Sequence, residues 1–251
     1  MEKKFSRLKS YNLIMGFLHL IQGLAMVYLT NDFTLPITTS FLKLDPETSL
    51  PIANTETVYE LKIGLAVASF LLLSAFFHFL IATAGFQKYT AWLKKGANYF
   101  RWWEYSLSSS IMIVIIAMLC GFYDLGGLIL IFALNATMIF FGLLMELYNQ
   151  KTEKTDWSSF LFGCFAGIIP WIVIALYFLG AAQATGTIPS FVYAILISLF
   201  VFFNIFALNM ILQYKKIGPW KDYLFGEKMY IVLSLVAKSA LAWQVFSGTL
   251  R

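Results

Sequence analysis

The chain has 251 residues, of which 60% are hydrophobic and only 12% charged, with a net charge of +5. This balance lies outside the range of soluble domains and predicts an integral membrane protein. The basic excess clusters between apolar runs, where it reads as membrane anchoring and not as a nucleic-acid surface.

Crossing about 30 Å of hydrocarbon takes roughly 20 helical residues. Runs of that length fall at about 10–30, 58–86, 98–121, 125–149, 158–181, 188–213 and 225–248. They predict an all-α bundle of seven transmembrane helices, with residues 1–251 forming one domain. Unbroken runs argue against a β-barrel, whose strands would alternate over about ten residues.

Lys3, Lys4, Arg7 and Lys9 precede the first span, which is too long for a cleavable signal and lacks a small-residue cleavage site. It is therefore read as a retained helix, with Asn12, His19 and Gln22 on one face. The first connection, about Thr30 to Thr57, carries Pro36, Pro46 and Pro51. Its Thr-, Ile- and Phe-rich stretch Thr34 to Leu44 reads as a short hairpin over the outer face or as an ordinary loop.

The second span places Ser74 and His78 one turn apart, and Lys88, Lys94, Lys95 and Arg101 surround the connection after it. Inside the third span Glu104 is the only carboxylate, with Ser108 one turn on and the apolar run Ile111 to Leu119 beyond. Glu104 reads either as the partner of a buried cation or as an interfacial carboxylate paired with Arg101. The fourth span ends near Glu146, followed by Lys151 and Lys154. In the fifth, Gly163 and Gly167 have the small-residue spacing of helix contacts, within one chain or in a homodimer.

Lys215, Lys216, Lys221 and Lys228 follow the sixth span, whereas only Lys43, Lys62 and Arg251 fall on the opposite side. The positive-inside rule puts the amino terminus in the cytoplasm, the carboxyl terminus outside, and the long first loop outside. Cys120 and Cys164 then lie near opposite faces and cannot pair within one chain.

Lys238 lies near the middle of the last apolar stretch, Tyr230 to Gly248, one turn after Ser234. A charged ammonium there costs about 2.5–3.5 kcal/mol even on permissive insertion scales. The economical explanation is a Schiff base with an aldehyde, which ties an apolar chromophore to the core. Such a cation needs a buried counter-charge, and Glu104 is the available carboxylate.

The segments Ser-Leu-Val-Ala-Lys-Ser at 234–239 and Arg-Trp-Trp-Glu-Tyr at 101–105, the histidines His19 and His78, and a cytoplasmic amino terminus occur together. In this combination the chain resembles the microbial rhodopsins, and among them the heliorhodopsins, over essentially its whole length. The resemblance implies a rhodopsin-like fold with retinal on Lys238, all-trans in the dark, and Glu104 as counterion. It also implies Ser108 and Ser234 as hydrogen-bond partners of the Schiff base region, and His19 and His78 in the network that takes up its proton. Proton-pumping rhodopsins carry carboxylates where this chain has Ser234 and Ile115, and both departures weigh against pumping.

Polarity agrees with that inference. Asn12, His19, Gln22, Ser74, His78 and Glu146 line the cytoplasmic half, and the outer half is apolar. Transport needs polar access from both sides in alternation. The histidines also read simply as packing residues bonded between helices. A polyene pocket should be aromatic and close-packed, for which Tyr105, Asn135, Met138, Trp171, Phe202, Phe203 and Phe206 are the candidates.

These readings lead to a light sensor in the plasma membrane that signals to a cytoplasmic partner. The alternative is a light-driven ion transporter or light-gated channel. A third class is a chromophore-free transporter or scaffold in which Lys238 pairs directly with Glu104. No metal-ligand cluster, nucleophile with paired base, or phosphate loop suggests an enzyme.

Overall fold

The computed structural model describes residues 2–250, without the side chains of Glu2, Lys3 and Thr185. The Lys3 and Arg251 charges counted above lie outside the described residues. In chain order come α1 (Glu2–Leu29), β1 (Thr34–Leu44), β2 (Pro51–Lys62), α2 (Ile63–Ala82), α3 (Phe86–Leu93), α4 (Tyr99–Leu119), α5 (Leu125–Asn149), α6 (Ser158–Thr185), α7 (Ser190–Tyr214), a 3-10 turn (Gly218–Lys221) and α8 (Tyr223–Thr249). All the α-helices except α3 are long and apolar enough to cross a membrane, seven among the described residues. The chain is a multi-pass membrane protein.

Helix boundaries follow local chemistry. Asn98, Asp124 and Asp222 cap α4, α5 and α8, their side chains accepting from the backbone N–H of Arg101, Gly127 and Leu224. Gly186, in the left-handed region at φ 69°, closes α6. Pro170 interrupts the hydrogen bonding of α6 from within, since it has no N–H to offer the Ala166 carbonyl.

Two expected boundaries are corrected. The second span does not begin at 58, because Val58 to Lys62 belong to β2, which pairs antiparallel with β1 from Thr34↔Lys62 to Leu44↔Pro51. The first connection is thus a long two-stranded hairpin, and the fold is mostly helical instead of all-α. The second span also stops before 86. The chain turns at Thr83 to Gly85, and the short helix α3 lies across the end of the bundle with Tyr89 and Leu93 buried.

Helix α1 packs on α2, α2 on α4, α4 on α5, α5 on α6, and α8 on both α7 and α1. Helices α6 and α7 meet through aromatic edges instead, with ring centroids of Trp171 and Phe200 5.2 Å apart and those of Phe178 and Tyr193 4.9 Å apart. The base of the hairpin covers the bundle end opposite the amino terminus. Phe33, Leu35, Ile37 and Leu61 pack there on a core containing Phe70, Leu71, Ile113, Ile115, Ile116 and Met118. Cys120 and Cys164 are both free.

At the amino-terminal end, Lys4 Nζ donates to Asp222 Oδ2 at 2.7 Å and holds that carboxyl below the usual carboxylate range. A depressed folded-state value contributes stability above the unfolded value, about 3.9, that is lost as pH falls through the folded one. Asp222→Ala should therefore cost about 1 kcal/mol near pH 7, mostly as a lost cap. Thermal unfolding in detergent should show the difference shrinking below about pH 4.

Candidate functional site

Lys238 on α8 and Glu104 on α4 meet in the middle of the bundle, both buried, with Nζ 2.6 Å from Oε1. One turn of helix separates Ser234 from Lys238, and its Oγ accepts from Nζ at 2.9 Å. From α2, Ser74 Oγ donates to the same Glu104 oxygen at 2.6 Å. Additional hydrogen bonds offset part of the desolvation cost of a buried ion pair, and the two serines supply one to each partner.

A second polar group stands beside the first. His78 Nδ1 lies 2.8 Å from Asn12 Oδ1, and the Asn12 amide Nδ2 donates to the Leu8 carbonyl at 2.9 Å. That amide orientation makes Oδ1 the acceptor, so His78 carries its proton on Nδ1 and has a lone pair on Nε2. His19 stacks on His78 with ring centroids 5.4 Å apart, and neither of its nitrogens has a hydrogen-bond partner among the described residues.

Toward the amino-terminal end lies a third group. Arg101 forms buried ion pairs with both Glu146 and Glu227. Trp102 Nε1, the Asn98 backbone N–H and the Tyr223 hydroxyl donate to Glu146 at 2.6, 3.0 and 3.2 Å. Asn98 Nδ2 and the Tyr89 hydroxyl donate to Glu227 at 2.6 and 3.1 Å. Arg101 is thereby committed, so the interfacial Arg101–Glu104 pair does not form. A small cavity of about 20 Å³ between Asn12, His78, Glu104, Arg101 and Glu227 joins the groups. It has room for about one water.

On the other side of Lys238 the surroundings turn apolar. Tyr105, Met112, Met138, Ile139, Phe203, Phe206 and Ala237 line a cleft at the amine, and several of them continue into a cavity of about 360 Å³ that reaches Trp171 and Tyr230. Tyr105 is fixed by its hydroxyl bond to the Tyr230 carbonyl at 2.8 Å and by the Phe206 edge, 5.4 Å between centroids. Two glycines let the wall side chains pack directly on the helices: a Cβ on Gly142 would lie 2.3 Å from the Trp102 ring, and one on Gly167 2.2 Å from Met138 Sδ. The Ser108 hydroxyl, beside the amine, is buried without a hydrogen-bond partner among the described residues. An apolar slot of this volume, within the usual small-molecule range of about 300–1000 Å³ and with one amine at its end, fits an elongated apolar aldehyde.

Of the predicted site residues, Lys238, Glu104, Ser234, Ser108 and Ser74 meet at the amine, and Asn12, His19 and His78 adjoin them. Tyr105, Met138, Trp171, Phe203 and Phe206 line the cavity. Four candidates lie elsewhere. Phe202 packs against the apolar core under the hairpin, as Phe203 also does, but does not reach the cavity that Phe203 and Phe206 line. Asn135 is occupied by the Ser109 and Ser110 hydroxyls at 2.8 and 3.0 Å. Gln22 turns to the Leu18 carbonyl and to Trp243 Nε1, one turn past the histidines. Glu146 belongs to the Arg101 group and not to the histidine chain. Sequence reasoning missed Glu227, whose place at the start of the last span reads as an interfacial carboxylate, along with Asn98, whose capping position was its only signal.

The heliorhodopsin family model matches residues 8–250. No curated protein matches the chain.

Proposed function

Because the chain belongs to the heliorhodopsin family, retinal photoreceptors of the microbial-rhodopsin kind, we propose that Lys238 carries the retinal as a Schiff base, all-trans in the dark, and that light moves a proton internally without ion transport. The observation that carries this reading is the buried Lys238–Glu104 pair, which has an apolar cavity on one side and hydrogen-bonded polar groups on the other. When bound, retinal supplies visible absorption and a light-driven double-bond isomerisation. Ser234 and Glu104 orient the Lys238 nitrogen and balance its charge. Tyr105, Phe203, Phe206 and Trp171 exclude water from the apolar side.

For a proton released at the Lys238 nitrogen, the nearby imidazoles and carboxylates among the described residues lie toward the amino-terminal end. Ser74 leads from Glu104 in that direction, and the Nε2 lone pair of His78 is a base beside it. The opposite half of α4, Ile111 to Leu119, offers no ionisable group. One-sided access suits relocation within the protein better than passage across it. With the amino terminus cytoplasmic, a change in charge near Arg101, Glu146 and Glu227 would alter the face presented to a signalling partner. A homodimer in the plasma membrane completes the reading.

Light-minus-dark infrared spectra of the retinal-loaded protein should contain imidazole bands that vanish in His78→Phe, and illuminated vesicles should show neither sustained current nor net pH change. Imidazole bands that survive the substitution would sink the proton route. A steady light-driven current would make the protein a transporter or channel.

The cavity makes a separate demand. Gly142→Leu must displace Trp102, which also bonds Glu146, and should cost about 1–3 kcal/mol by overpacking. Most retinal-dependent absorbance should disappear with it, as read by reconstitution with added retinal.

A further inference from the structure

At the amino-terminal end a separate polar cavity of about 350 Å³ opens between α5, α7 and the turn before α8. Its volume lies within the small-molecule range of about 300–1000 Å³. Three lysines line it, Lys95, Lys216 and Lys221, with Trp220 as an aromatic wall. Against them stands Glu153. Glu146 also reaches the cavity, but its oxygens are already filled by Arg101, Trp102, Asn98 and Tyr223. The free charge of the wall is therefore positive.

Two further features set this cavity apart from an ordinary basic surface. Gln213 lines it at only 7% exposure; its Nε2 donates to the Tyr223 carbonyl at 3.2 Å, while its Oε1 is buried with no partner among the described residues. A buried acceptor without a donor is costly, and native proteins satisfy it with a protein group, an ordered water or a bound molecule. Lys216 holds the left-handed backbone, φ 53°, just past the end of α7, where glycine is the usual residue. A lysine kept in that conformation places a charge at the cavity at the expense of local strain.

We propose that this cavity binds a small phosphate-bearing molecule that also carries hydroxyl or amino donors, with Lys95, Lys216 and Lys221 facing the phosphate and Gln213 Oε1 accepting from a donor. Lysines act on phosphate as point charges, whereas planar carboxylate recognition favours the arginine fork, and no arginine lines the cavity. The chemistry is that of a glycerol phosphate, free in solution or as the headgroup of an anionic lipid. The site does not depend on the chromophore reading, and binding is measurable without light.

Calorimetric titration of the purified protein in detergent with sn-glycerol 3-phosphate tests the proposal, with sulfate as a dianion that has no donor. Saturable one-to-one binding is expected, about tenfold weaker in Lys216→Gly and in Lys221→Gln, and weaker still for sulfate. Lys216→Gly relieves the left-handed strain, so its melting temperature should hold or rise, which separates loss of the charge from loss of the fold. Repeating the titration in phosphatidylcholine nanodiscs with and without phosphatidylglycerol identifies the source. Competition by phosphatidylglycerol assigns the site to a lipid headgroup, and its absence to a soluble molecule. No saturable heat from glycerol 3-phosphate in detergent together with no phosphatidylglycerol effect, unchanged affinity in Lys216→Gly, or equal binding of sulfate would each overturn the proposal.

Discussion

Lys238→Ala, purified and incubated with all-trans retinal, should show none of the visible absorbance that the native protein acquires. The side chain is the only amine that lines the apolar cleft among the described residues, and removing it leaves an apolar ligand nothing to bond covalently. Loss of colour alone does not identify the cause, because Lys238→Ala also leaves Glu104 as a buried, unpaired charge. That defect costs about 3–5 kcal/mol when one partner of a buried pair is removed. Lys238→Arg separates the two effects. A guanidinium keeps a positive charge beside Glu104 and Ser234 but forms no stable linkage with an aldehyde at this site, so the variant should be colourless yet melt closer to the native protein. A visible band that persists in either variant would remove Lys238 from the chromophore reading, and the direct Lys238–Glu104 contact at 2.6 Å would then stand as an ordinary structural ion pair.

The signals that carried furthest from the sequence were those with a large energetic penalty attached. A lysine in the middle of an apolar run has few acceptable environments, so Lys238 pointed to Glu104 before any geometry was known. Helix periodicity likewise placed Ser234 one turn from Lys238, where its hydroxyl meets the amine. Signals of low cost were weaker guides. Val58 to Lys62 continue the apolar pattern of α2 closely enough to be counted with it, and only the pairing of Tyr59 with Ile37 and of Lys62 with Thr34 makes them strand. Among many phenylalanines, neighbours differ by about 100° around a helix, so Phe202 and Phe203 look alike in sequence and pack on one core, yet only Phe203 lines the cavity. Glu227, and the pairing of Glu146 with Arg101, were hidden for a related reason. A carboxylate close to the end of a span is inexpensive at an interface, and nothing local distinguishes it from one buried with an arginine from another helix. The short helix α3 supplies that burial by laying Tyr89 over Glu227.

Arg101→Gln should be the most destabilising single substitution outside the chromophore region, by about 3–5 kcal/mol, seen as a fall of about 10 °C in the melting temperature in detergent. Among the described residues, Arg101 is the only cation in contact with two carboxylates that are each 1% exposed. A neutral amide leaves both charges in a low-dielectric setting with only neutral donors around them. Arg101→Lys should recover little, because a single ammonium cannot span two carboxylates that the planar guanidinium meets with separate nitrogens, Nη1 toward Glu227 and Nη2 toward Glu146. Adding Glu227→Gln to Arg101→Gln should restore part of the loss, since it removes one unpaired charge while Asn98 and Tyr89 remain as hydrogen-bond partners. The pair is therefore expected to be strongly non-additive. If the losses instead added, the two groups would not be coupled, and the Arg101 group would lose its place as the charged link between the buried pair and the amino-terminal face. The same double variant gives a functional readout. It keeps the Lys238–Glu104 pair intact and should retain the native visible band, whereas light-induced infrared changes at carboxyl groups near the amino-terminal end should be altered.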